Sequence, residues 1–121
     1  MKTVFFIDDS YVMRTALKRW MTKAFKNVNF LVFPNYEQVL EHINEPNLKL
    51  IICDEEIHET RLRGSDFINL LNNKKIHIDI IVLSGLQLNL KDFKDEAKLI
   101  KHVLQKPVDF ESLKDKITAL I

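Results

Sequence analysis

Lys49-Leu50-Ile51-Ile52-Cys53-Asp54-Glu55-Glu56 is the stretch that decides the fold. An unbroken apolar run, Leu50 to Cys53, stops at a carboxylate. A strand with one wet face alternates apolar and polar residues. An unbroken run belongs to a strand covered on both faces, as in a parallel sheet flanked by helices. Asp54 then marks where the chain leaves the apolar layer.

The same design recurs on either side. Val4-Phe5-Phe6-Ile7 runs into Asp8-Asp9, Ile80-Ile81-Val82-Leu83 into Ser84, and Val103-Leu104-Gln105 into Lys106-Pro107. Val28-Asn29-Phe30-Leu31-Val32-Phe33 is a further run; its polar Asn29 places it nearer a sheet edge. Strands are expected at about residues 3–8, 28–33, 49–54, 77–84 and 100–105.

Stretches of helical period lie between them. A first helix is expected from about Tyr11 to Phe25, with Ser10 as cap and Met13, Leu17, Trp20 and Ala24 on one face. A second follows Pro34, with Asn35 as N-cap, Gln38 as its capping-box partner, and Pro46 as its end. A third begins near Ser65, carrying Phe67, Ile68, Leu70 and Leu71. A fourth spans Leu88 to Ala97, and a fifth starts at the cap Asp109 with Phe110, Leu113, Ile117 and Leu120 on one face. Strict alternation of strands and helices predicts an α/β fold, a doubly wound parallel sheet with helices on both sides.

With 121 residues and 46% hydrophobic content, the chain is expected to form one domain over 1–121 with no output domain. The formal net charge is +1, which gives no electrostatic reason to hold nucleic acid. Cys53 is the only cysteine, so no internal disulfide is possible, and a buried thiol fits a reducing compartment. The apolar start is shorter than a signal-peptide core, and no run approaches the roughly 20 residues of a membrane span. A cytoplasmic protein without membrane contact is expected.

In an open parallel sheet the C-terminal strand ends share one edge, where ligands bind. Asp8, Asp9, Asp54, Ser84 and Lys106 would meet there. Crowded carboxylates resist ionising unless a cation compensates, and Mg²⁺ suits such a set. Asp54 has the chemistry to attack an activated phosphoryl donor and form an acyl phosphate. Lys106 offers a positive charge and Ser84 a hydroxyl to the phosphoryl oxygens.

This joint pattern resembles the receiver domain of response regulators, of the CheY-like kind, over essentially the whole chain. The resemblance implies a flavodoxin-like sheet of order 2-1-3-4-5 with five helices. It implies Asp54 as phosphoacceptor, with Asp9 and Asp54 binding Mg²⁺ directly, Asp8 acting through water and the Glu56 backbone carbonyl as a further ligand. Ser84 would be the switch hydroxyl, Lys106 the contact to the phosphoryl group, and the Lys106–Pro107 bond would be cis. The implied partners are a sensor histidine kinase or phosphotransfer protein and a downstream protein target, with the receiver a monomer or weak dimer. The implied switching surface is the fourth helix, fifth strand and fifth helix.

The chain departs from the family pattern at several places. His58 stands where proline usually follows the phosphoacceptor, and the next glycine comes late, at Gly64, so the loop from Glu56 to Arg63 is longer. Val103 holds the position of the usual aromatic switch, and His102 beside it is expected at the surface. An alternative is a small haloacid-dehalogenase-like phosphatase with Asp54 as nucleophile. Such enzymes use a second acid two residues on, where Glu56 stands, and usually more chain. A flavodoxin-like binding module would want a Gly/Ser/Thr-rich loop after the first strand; Asp8-Asp9-Ser10 has the wrong charge for that.

Overall fold

The structure, a computed structural model, describes residues 1–55, 64–85 and 98–121. The expected helix from Leu88 to Ala97, Glu56 and the rest of the loop to Arg63 lie outside the described residues. Five strands form one parallel sheet: β1 (Lys2–Ile7), β2 (Val28–Phe33), β3 (Leu48–Asp54), β4 (Asp79–Ser84) and β5 (Ile100–Gln105). Their order is β2-β1-β3-β4-β5, as the resemblance implied, and β2 lies at an edge. Four helices are described: α1 (Tyr11–Ala24), α2 (Tyr36–Glu41), α3 (Gly64–Asn73) and α4 (Phe110–Leu120).

The apolar runs form strands because both of their faces are covered. Phe5, Ile7, Ile51, Cys53, Ile80 and Val82 point to one side, where they pack with Tyr36, Val39, Phe67, Ile68 and Leu71 of α2 and α3. Val4, Phe6, Leu50, Ile52, Ile81 and Leu83 point to the other, against Leu17 and Met21 of α1 and Leu113 and Ile117 of α4. Successive side chains of a strand point to opposite faces, so each run feeds both layers.

The helices begin where their caps direct. Ser10 Oγ accepts the Met13 N–H at 3.2 Å, Asn35 Oδ1 the Gln38 N–H at 2.9 Å and Asp109 Oδ1 the Glu111 N–H at 3.1 Å. Two details differ from expectation. The innermost residues of α1 are Leu17 and Met21, whereas Met13, Trp20 and Ala24 are only partly buried. Helix α2 stops at Glu41, ahead of Pro46, because His42 N–H turns to the Val39 carbonyl three residues back (2.9 Å), which winds the chain more tightly than an α-helix.

Helix α3 ends without glycine. Lys75 takes a φ of 58°, while its N–H donates to the Asn72 carbonyl and the Ile76 N–H to the Leu71 carbonyl, both at 3.0 Å. That bond pair is a Schellman motif, with Ile76 tucked against the core.

The register decides where the polar groups land. Ile7 pairs with Cys53, Asp54 with Leu83, and Ser84 with Gln105. The strands therefore end in step along one edge.

Candidate functional site

The ends of β1, β3, β4 and β5 deliver polar groups to that edge. Asp8 follows β1 and is held from three directions. Its N–H donates to the Phe33 carbonyl at 3.0 Å, its Oδ1 accepts the Ser10 N–H at 2.9 Å, and its carbonyl accepts Arg14 Nη1 at 2.7 Å. Its other oxygen, Oδ2, is buried with no hydrogen-bond donor among the described residues. Asp54 closes β3 and is 2% exposed. Asp9 is partly buried. One carboxylate oxygen from each of Asp8, Asp9 and Asp54 lies within 4.8 Å of the others.

Lys106 reaches back from beyond β5, and its Nζ donates to Asp54 Oδ1 at 2.7 Å. Its backbone N–H donates to the Ser84 carbonyl, also at 2.7 Å, and the Lys106–Pro107 bond is cis. Ser84 is fully buried at the end of β4. Asp8, Asp9, Asp54 and Lys106 thus converge; Ser84 ends the strand beside Lys106, and Glu56 lies outside the described residues. His102 is partly buried on β5 rather than at the surface.

The site is short of positive charge. Asp8 is pushed up to about 6, chiefly by burial; Asp54 and Asp9 add to the rise, while the Ser10 N–H and Lys106 oppose it. Three carboxylates and one ammonium leave two negative charges when all are ionised, which a divalent cation would cancel. The donors are hard oxygens, and Asp8 Oδ2 is a buried acceptor without a donor among the described residues. That set fits Mg²⁺. A cleft of about 330 Å³ opens beside it between Asp8, Met13, Lys106, Pro107 and Phe110.

Two contributors were not legible in the sequence. Arg14 stands six residues beyond Asp8, and only the fold of α1 over the strand end brings its guanidinium to that carbonyl. Tyr36 starts α2, and its hydroxyl donates to the backbone carbonyl of Asp54 at 2.7 Å. No spacing rule links positions 36 and 54; the signal would have been a tyrosine at a helix start whose ring has to be buried.

Residues 4–118 match the family model described as the response regulator receiver domain. No curated protein matches the chain by sequence. Among solved structures, a response regulator receiver domain protein from Clostridium thermocellum is 19% identical with a TM-score of 0.82, covering 100% of this chain and 94% of that one. A response regulator protein from Thermotoga maritima, solved in complex with Mg²⁺ and BeF, is 22% identical with a TM-score of 0.80 and full coverage of both chains (100% and 100%). A CheY-like receiver domain from Methylobacillus flagellatus is 15% identical with a TM-score of 0.78, covering 100% of this chain and 99% of that one. At these identities the structures speak for the fold.

Proposed function

The chain belongs to the response-regulator receiver family of two-component signalling, and from that premise we propose that it accepts a phosphoryl group on Asp54 in the presence of Mg²⁺ and thereby switches a protein-binding surface. The observation that carries this reading is the meeting of Asp8, Asp9 and Asp54 with Lys106 at one sheet edge. The donor is a sensor histidine kinase or a phosphotransfer protein, and the readout passes through a protein target. Residues 1–121 act as one receiver unit in the cytoplasm, monomeric or weakly dimeric, without nucleic acid or membrane.

An Asp54 carboxylate oxygen attacks phosphorus as the bond to the donor breaks; the donor leaves with that bond's electron pair, and an acyl phosphate remains. Lys106 already touches Asp54, so its ammonium is in place to meet the incoming phosphoryl oxygens. Ser84, at the end of the neighbouring strand, supplies the hydroxyl that would follow the new charge. Asp8, Asp9, Asp54 and the Glu56 backbone carbonyl would hold Mg²⁺. The bound ion offsets charge on the transferring group. Water later cleaves the acyl phosphate and restores the carboxylate. The Mg²⁺–BeF complex of the Thermotoga maritima relative is in keeping with this reading. No observation favours the phosphatase alternative.

Incubation with Mg²⁺ and acetyl phosphate, read by intact mass, tests the assignment. Wild type should gain one phosphoryl group and Asp54→Asn none. Equal labelling of both proteins, or of neither, would reject Asp54 as the acceptor.

A further inference from the structure

We propose that Tyr36 is a positioning residue for Asp54: its hydroxyl fixes the peptide group that follows the phosphoacceptor, and so sets where the carboxylate stands. The inference rests on the reading of Asp54 given above, and adds to it a residue on the far side of the strand from the acids.

The peptide joining Asp54 to Glu55 is clamped on both sides. Its N–H donates to the Leu83 carbonyl at 2.9 Å, and its carbonyl accepts the Tyr36 hydroxyl at 2.7 Å. The first contact continues the sheet; the second comes from outside it, from the first residue of α2. Asp54 is the last residue of β3, so its side-chain direction depends on how this one peptide plane is held.

Tyr36 is well placed to hold it. The residue is fully buried, and its ring stacks on Phe67 of α3 at 4.8 Å between centroids and 30° between planes. Burial, with Cys53, Glu55 and Asp54 nearby, pushes the phenol well above its ordinary value, so it remains a protonated donor. Gly64, which opens α3, keeps the space around the hydroxyl clear. A Cβ there would come within 3.0 Å of the Tyr36 oxygen and 2.5 Å of Glu55 Oε2. Packing alone would have been served by phenylalanine. The hydroxyl finds a buried carbonyl that needs a donor, and that carbonyl belongs to the reacting residue.

Tyr36→Phe keeps the ring and deletes the clamp. With acetyl phosphate saturating, its rate constant for Asp54 phosphorylation should fall by about fivefold, the scale of one net hydrogen bond, with half-saturation by the donor unchanged. The ¹⁵N–¹H signal of Glu55, the other half of that peptide, should shift before any phosphoryl donor is added. Val39→Ala, a core truncation on the same helix, should lower stability yet leave both readouts of the folded protein at wild-type values. A labelled wild type with a folded Tyr36→Phe that reacts at the same rate would overturn the positioning role alone. Slowing in Val39→Ala equal to that in Tyr36→Phe would do the same. A wild type that takes no label would overturn the Asp54 reading and this inference with it. Should Tyr36→Phe not fold, Gly64→Ala, which crowds the hydroxyl from α3, replaces it; the same slowing is expected, and full-rate reaction would overturn the proposal.

Discussion

Asp8 is the site carboxylate whose chemistry its surroundings visibly alter. Its folded value of about 6 lies above the ordinary 3.8, mainly through burial. The folded state therefore binds the proton more tightly than the unfolded chain. The resulting stabilisation is complete below about pH 4 and is lost as pH rises through about 6. A bound divalent cation reverses the balance, because it requires the carboxylate. Added Mg²⁺ should therefore raise the melting temperature more at pH 7.5 than at pH 5, and Asp8→Asn should flatten this difference. Thermal melts at the two pH values decide it; an Mg²⁺ effect indifferent to pH in wild type would refute the ionisation argument. Lys106 is the counterpart. At 2.7 Å from Asp54 it partly compensates the cluster, which helps explain how buried acids are tolerated at all.

At the scale of elements, caps and strand ends carry the design. Most helix starts follow a sequence signal: Ser10, Asn35 and Asp109 each cap as their residue types dictate. The end of α3 runs against its residue type, since Lys75 occupies a left-handed conformation that glycine adopts without strain. Lys75→Gly should accordingly stabilise the protein by about 0.5–1 kcal/mol, visible as a higher urea midpoint with an unchanged slope. A lower midpoint would mean that the lysine stem contributes packing that outweighs the backbone strain. The shortness of α2 belongs to the same scale. Pro46 was readable as a stop, but the tighter bond from His42 to Val39 ends the helix sooner, and periodicity carries no signal for it.

At the scale of the molecule, one sheet separates two cores, and both depend on β3. Ile51 faces α2 and α3, while Trp20, the sole tryptophan, lies on the opposite side, stacked on Phe110 at 4.8 Å. Ile51→Ala should cost about 2–5 kcal/mol, a large share of a typical 5–15 kcal/mol stability. Because the layers share their strands, Trp20 fluorescence and far-UV circular dichroism should report the same lowered midpoint. A Trp20 transition that stays at the wild-type midpoint would show the two cores to be independent. The strands, their order along the sheet by resemblance, and the placing of Asp8, Asp9, Asp54, Ser84 and Lys106 at strand ends were legible in the chain itself. Unbroken apolar runs that alternate with stretches of helical period are satisfied by few folds, because a strand buried on both faces needs a covering layer on each side and the intervening helices supply both. The meeting distances, the displaced value of Asp8 and the service of Arg14 and Tyr36 to backbone carbonyls were decided only by the tertiary structure. Each depends on groups from different elements sharing one buried volume, and no local rule of spacing along the chain encodes that.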